Sequence, residues 1–213
     1  MQIKTPNLAP LIDYTCLKAD ATLAEIELLC SEAIKCGFAT VCVNSYWLRT
    51  VSKLLTGSSV KPITVVGFPL GANLMSVKAF ETREAIAAGA QEIDMVLNIG
   101  ALKSGDENSV LEDIKVVVDA AKPYPVKVIL ETALLTNLEK VKACELAKQA
   151  GAQFVKTSTG FSTNGATVED VKIMRETVGA RMGVKASGGI KTTEEGLALV
   201  NAGANRLGTS RKI

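Results

Sequence analysis

Three observations predict an α/β fold of the (β/α)8, TIM-barrel class. Strand-like and helix-like patterns alternate strictly through eight strands. The strand segments are nearly continuous runs of Val, Ile, Leu and Ala, as in a parallel sheet covered by helices. A helix-ending glycine recurs in Cys36-Gly37-Phe38, Ala88-Gly89-Ala90, Ala150-Gly151-Ala152 and Ala202-Gly203-Ala204, each time before an even-numbered strand, as paired βα units would place it. The 213 residues suffice for one core and are read as a single barrel domain, 1–213. The competing architecture, an open doubly wound sheet, lacks its Gly-x-Gly-x-x-Gly mark after the first strand.

In order, Leu11 to Thr15 forms the first strand. Thr22 to Lys35 is a helix, with Leu23, Ile26, Leu29 and Ala33 on one side and a Thr22/Glu25 capping box. Phe38 to Asn44 is the second strand and Ser45 to Thr56 a helix. Ile63 to Phe68 is the third strand, closed by Pro69 and Gly71, before a helix over Asn73 to Ala88. Glu92 to Asn98 is the fourth strand, and the helix Glu107 to Lys122 is broken by Pro123 and Pro125. Val126 to Glu131, Phe154 to Thr159, Gly183 to Ser187 and Arg206 to Thr209 are the remaining strands. Helices over Asn137 to Ala150, Thr167 to Val178 and Thr192 to Asn201 separate them. No helix pattern follows the eighth strand, so the N-terminal segment or a partner subunit is expected to cover that side.

Composition narrows the chemistry. The chain is 47% apolar but only 4% aromatic, so the core is aliphatic. A net charge of +2 gives no general attraction to nucleic acid or an anionic membrane. No apolar run reaches spanning length, and Met1 to Pro10 lacks a basic-then-apolar leader, so a cytoplasmic protein is expected. Five cysteines at irregular spacings, without Cys-x-x-Cys, argue for reduced thiols rather than a disulfide frame or a zinc site. There is no histidine. That excludes a His general base, a Ser-His-Asp triad and His-ligated metal, and neither metal nor cofactor is expected.

Strand side chains alternate between the barrel interior and the helix layer. Asp13 and Thr15, Thr40 and Cys42, Asp94 and Asn98, Lys127 and Glu131, Lys156 and Ser158, and Lys185 and Ser187 fall on the polar parity. The opposite parity is apolar and must meet the helices. The interior therefore gathers Asp13, Asp94, Glu131, Lys127, Lys156 and Lys185. A lysine in a strand ordinarily snorkels to solvent, and one buried pair could be a structural ion pair. Six converging ionisable groups indicate an active site.

Lys156 and Lys185 sit on neighbouring strands, where a second cation and partial desolvation favour a neutral amine on one of them. A neutral lysine attacks an aldehyde to form an imine, an electron sink for making or breaking an adjacent carbon–carbon bond. Asp94 is placed to move protons to substrate hydroxyls through water. Sequence does not choose between the two lysines. Ser187-Gly188-Gly189-Ile190 after the seventh strand and Gly208-Thr209-Ser210 after the eighth share one corner of the barrel, where backbone amides bind phosphate.

Val41-Cys42-Val43-Asn44, Val66 to Gly71, Glu92 to Val96, Lys127 to Thr132, Phe154 to Phe161, Val184 to Gly189 and Gly208-Thr209-Ser210 together resemble the motifs of the deoxyribose-phosphate aldolase family, and the resemblance covers nearly the whole chain. It implies a class I aldolase interconverting 2-deoxy-D-ribose 5-phosphate with D-glyceraldehyde 3-phosphate and acetaldehyde, and a homodimer. It implies Lys156 as the Schiff-base lysine, Lys185 as the second lysine that lowers its pKa, and Asp94 as the proton relay. Phosphate would sit on Gly160, Gly188, Gly189, Gly208 and Ser210. Thr15, Cys42 and Lys127 would complete the substrate site, Cys42 near the aldehyde and Lys127 as a supporting charge. Relatives often read Asp-His-Thr where Asp13-Tyr14-Thr15 stands; Tyr14 is predicted to face outward. They also often read Asn-Pro where Asn44-Ser45 stands, and Gly-Thr-Ser-Ser-Gly where Arg211-Lys212-Ile213 follows Ser210. That implies a phosphate corner short of a hydroxyl and a glycine, with Arg211 expected to supply a charge. The competing functions are another Schiff-base phosphosugar aldolase or isomerase, and a barrel retained as a binding protein.

Overall fold

The computed structural model describes residues 7–213. The first six residues of the Met1–Pro10 lead, and what the leader and domain expectations say of them, lie outside the described residues.

Eight parallel strands close into a barrel in sequence order, β1 to β8. They are β1 (Ile12–Cys16), β2 (Thr40–Val43), β3 (Lys61–Val66), β4 (Glu92–Val96), β5 (Val126–Ile129), β6 (Phe154–Lys156), β7 (Gly183–Ser187) and β8 (Arg206–Thr209). The helices are α1 (Leu23–Cys36), α2 (Leu48–Leu54), α3 (Met75–Ala87), α4 (Ile99–Lys103), α5 (Glu107–Ala121), α6 (Asn137–Gln149), α7 (Val168–Val178) and α8 (Thr193–Asn201). Short α4 was not predicted: one turn carries too little periodicity, and the Asn98 side chain starts it by accepting the Ala101 N–H. The predicted Thr22/Glu25 capping box is present, and Thr136/Glu139 and Thr192/Glu195 form two more. β6 stops at Lys156, three residues early; beyond it the Thr157 hydroxyl donates to Ser187 O and the Ser187 hydroxyl to Ser158 O, tying its end to that of β7.

Register fixes which side chains share the interior. Asp94 lies opposite Lys127, Lys156 opposite Lys185, and Lys185 opposite Arg206. The outward parity supplies the core between strands and helices, with Val41, Ile93, Val128, Val155 and Val184 all fully buried. One quarter of the interior is apolar: Leu17, Cys42, Ile63 and Val65 cluster there, with Phe68 packed on them. Gly183 has a steric reason, since a Cβ would lie 2.1 Å from the Phe154 ring inside the barrel.

No helix follows β8 within residues 210–213. Leu8, from the N-terminal segment, is 4% exposed. Leu8, Leu207 and Ile213 close around Gly196 of α8, where a Cβ would meet them at 3.0, 3.2 and 3.1 Å. The N-terminal segment thus covers part of that side, one of the two arrangements expected. No helix among the described residues is long and apolar enough to cross a membrane.

Candidate active site

The barrel holds a continuous ion network. Asp94 is its hub: Oδ1 accepts from Lys127 Nζ at 2.8 Å, while Oδ2 accepts from Lys156 Nζ at 2.9 Å and Lys185 Nζ at 2.7 Å. Lys185 Nζ is also 2.5 Å from Asp13 Oδ2, and Lys127 Nζ is 2.6 Å from Glu92 Oε2. Arg206 bonds both Asp13 and Glu92. Thr40 donates to Asp13 Oδ1 at 2.8 Å.

The two candidate lysines differ in their partners. Lys185 shares two carboxylates; Lys156 has only Asp94, already held by two other amines. Burial works against the charge of Lys185, but Asp13 and Asp94 outweigh it and hold its pKa above the ordinary lysine value. For Lys156, burial dominates and the Lys185 cation pushes the same way, so its pKa falls despite Asp94. Burial would raise the Asp94 carboxyl, yet Lys127, Lys156 and Lys185 together hold it well below the ordinary range. Charge counting agrees. Asp13, Glu92 and Asp94 face Lys127, Lys156, Lys185 and Arg206. Three anions against four cations leave one positive charge in excess in a desolvated interior, and a neutral Lys156 removes it.

A cavity of about 430 Å³ opens above this network. Lys156 reaches its floor with 3% of its surface exposed, whereas Lys127 and Lys185 are fully buried and line none of it. Thr15, Gly160, Gly188, Gly189, Gly208 and Ser210 all line it, together with Ser187 of the same corner and with Thr159 and Phe161, for which the sequence implies no role. Gly160, Gly188 and Gly189 have φ of 85°, 88° and 79°, the left-handed region that favours glycine. Among the described residues, the N–H groups of Gly160, Gly188, Gly189 and Ser210 donate to no protein acceptor. Four free amides from three loops therefore line the one cavity, an arrangement suited to binding an anion.

Four of the candidate residues do not line the cavity. Cys42 is fully buried in the apolar cluster beside Leu17, near enough to Lys156 and Lys185 for their charges to act on its thiol, which burial pushes up to about 11. Lys127 is fully buried and bridges Asp94 and Glu92 below the floor, a supporting charge out of reach of the cavity. Arg211 does not line the cavity; its N–H is held by the Thr209 hydroxyl at 3.1 Å. Glu131 is buried but bonds Thr159 rather than any lysine. Asp94 itself lies under the floor, 0% exposed, so it reaches a ligand only through the lysines. Tyr14 faces α1 as predicted, its hydroxyl donating to Glu32 Oε2 at 2.7 Å. Glu92 and Arg206 were missed, although each stands two residues from an interior position, Asp94 and Gly208.

Comparison with known proteins adds to this geometry. A family model described as DeoC/LacD family aldolase matches residues 9–209. Deoxyribose-phosphate aldolase of Clostridium perfringens strain 13 is 61% identical over 208 residues, covering 97% of this chain and 93% of that one. The enzyme of the same name from Geobacillus strain WCH70 is 58% identical over the same shares. Among solved structures, deoxyribose phosphate aldolase from Aeropyrum pernix, described as tetrameric, superposes with a TM-score of 0.89 at 35% identity, covering 95% of this chain and 86% of that one.

Proposed function

Because the chain belongs to the DeoC/LacD family of aldolases, we propose that it cleaves 2-deoxy-D-ribose 5-phosphate reversibly to D-glyceraldehyde 3-phosphate and acetaldehyde, in deoxyribose catabolism. The observation that carries the reading is the asymmetry of the lysines: of the three around Asp94, only Lys156 reaches the cavity, and only its pKa is lowered below the ordinary value.

In this mechanism neutral Lys156 Nζ adds to C1 of the open-chain sugar, and the carbinolamine loses water to form an iminium. The C3 hydroxyl gives its proton to a cavity water in contact with the network. The C2–C3 bond breaks, its electron pair moving into the enamine C1=C2 while C3 becomes the aldehyde of glyceraldehyde 3-phosphate. Protonation at C2 and addition of water then release acetaldehyde and restore the amine. Asp94 Oδ2, within reach of both Lys156 and Lys185, relays protons between them. Lys185, kept cationic by Asp13 and Asp94, holds Lys156 neutral and is the reservoir for that relay. The phosphate sits on the free amides of Gly160, Gly188, Gly189 and Ser210, beside Gly208, and Thr15 lines the sugar path. The test is a coupled assay for acetaldehyde released from deoxyribose 5-phosphate. Release that vanishes in Lys156→Ala supports the reading; no release from the parent protein refutes it.

We also infer a homodimer and propose that its contact is the α2–α3 face. α3 is patterned inside out: it buries Lys78 and Thr82 and exposes Val77 and Phe80 (59%) beside Leu70, Leu74 and Tyr46. Exposed apolar residues in such a contiguous patch mark a contact surface. Arg49 and Glu84 line the same groove, so a two-fold contact pairs each with its opposite on the second copy. Sedimentation velocity should show a dimer that Phe80→Glu makes monomeric; a monomeric parent, or an unaffected variant, contradicts this. We infer a cytoplasmic location, a reading that five unpaired thiols and a phosphorylated substrate support.

A further inference from the structure

Glu131 is a buried carboxylate that the reaction above does not use. It follows β5 and is 3% exposed. Among the described residues it alone is a non-glycine with positive φ, at 55°. Its carboxylate accepts from the Thr159 N–H at 3.3 and 3.4 Å and from the Thr159 hydroxyl. Among the described residues no cation pairs with it. A left-handed non-glycine backbone and an unpaired buried carboxylate both cost stability, and such residues concentrate where a site depends on them.

What Glu131 holds is one wall of the cavity. Leu130 N–H donates to Lys156 O at 2.9 Å and Thr132 N–H to Thr157 O at 3.0 Å, so the segment around Glu131 runs beside the end of β6. Thr159 Oγ1, gripped by Glu131, in turn accepts the Phe161 N–H at 3.0 Å. That turn encloses Gly160, whose N–H is one of the free donors. The far end of the loop is anchored separately: Ala166 N–H donates to Gly188 O at 3.0 Å, and a Cβ on Gly165 would lie 2.1 Å from that oxygen. Ser187 bonds Ser158 O just before the turn and Phe68 packs edge-on against Phe161 after it, and among the described residues Glu131 is the side chain outside the loop that bonds Thr159 itself.

We propose that Glu131 is a positioning residue for the phosphate end of the site: it locks the Thr159–Gly160–Phe161 turn so that the Gly160 amide converges with those of Gly188 and Gly189. It touches neither substrate nor reacting atoms. The inference rests on the phosphosugar reading above, and it separates phosphate recognition, which needs Glu131, from imine formation at Lys156, which does not.

The test compares the parent with Glu131→Ala and Glu131→Gln in three measurements: calorimetric titration with inorganic phosphate, kcat and KM for deoxyribose 5-phosphate, and the rate at which acetaldehyde and borohydride label Lys156. Glu131→Ala should weaken phosphate binding and raise KM by about tenfold or more, leaving kcat and the labelling rate within about threefold of the parent. Gln keeps an acceptor for Thr159 and should recover most of the loss. A barrel loosened in general would lose labelling in proportion. That result, or phosphate binding unchanged in Glu131→Ala, overturns the proposal. If Glu131→Ala does not fold, Thr159→Val breaks the same contact from the other side, with the same split expected. A parent protein that binds phosphate but cleaves no sugar refutes the aldolase reading, and the phosphate titrations still decide the role of Glu131.

Discussion

Replacing Lys185 with Met should move the activity of Lys156 to higher pH. Both amines lie within 3 Å of Asp94 Oδ2, which keeps the nitrogens less than about 6 Å apart. At about 5 Å and an effective dielectric of about 20, two cations repel by about 3 kcal/mol. Relaxation of Asp13 and Asp94 into the space left would offset part of that. Even half corresponds to about a tenfold fall in the neutral fraction of Lys156 at pH 7, since about 1.4 kcal/mol is one decade. The sign follows from the cause. Burial and the Lys185 cation lower the Lys156 pKa, and Asp94 raises it. Loss of the cation leaves Asp94 less neutralised, so both changes favour protonated Lys156 and the acid limb shifts to alkaline pH. The assay is the pH dependence of acetaldehyde–borohydride labelling, run on the parent, Lys185→Met and Lys185→Arg, with a thermal melt to confirm folding. Arg keeps the charge and should keep the profile near the parent's. A Lys185→Met limb that stays in place or moves to acid would refute the assignment of Lys185.

Three further outcomes follow from the same structure. Gly188→Ala puts a Cβ 3.0 Å from Gly165 Cα at a φ of +88°, costing about 1–2 kcal/mol; it should lower Tm by several degrees and raise KM for deoxyribose 5-phosphate. Asp113→Ala leaves Lys78 Nζ, otherwise 2.5 Å from Asp113 Oδ2, as an unpaired buried cation. It should cost about 3–5 kcal/mol in urea unfolding, while the Lys78→Met, Asp113→Leu double variant recovers most of it. Iodoacetamide at pH 8 should label exposed Cys36 well before Cys42, which is buried with its thiol raised to about 11; mass spectrometry showing Cys42 labelled first would contradict its placement.

Much of this site was legible in sequence because period-two alternation is a strong rule inside a barrel. Parity placed Asp13, Asp94, Lys127, Lys156 and Lys185 together, and their bonds now connect them. Parity alone did not say how deep each side chain lies. Lys127 and Cys42 share the interior face with Lys156 yet sit below or beside the cavity, because depth depends on strand stagger, which only the register supplies. Nor could it choose between Lys156 and Lys185, since the choice lies in counting carboxylates around each nitrogen. Glu131 misled for a different reason. The strand ends at Ile129, so parity no longer applies two residues on, and the left-handed turn at Glu131 sends its side chain toward Thr159. The inverted face of α3 was illegible as well: periodicity assigns lysine outward, and Lys78 is inside only because Asp113 and the Val96 carbonyl await it.

Which amine forms the imine decides the role of every other residue around Asp94. Incubation with acetaldehyde and borohydride, followed by peptide mapping, reads this directly, because hydride reduction of the imine leaves an ethyl group on the lysine that reacted. The geometry predicts that Lys156 alone carries it among the three lysines around Asp94, for it alone reaches the cavity. An ethyl group on Lys185 or Lys127, or on none of the three, would contradict the account.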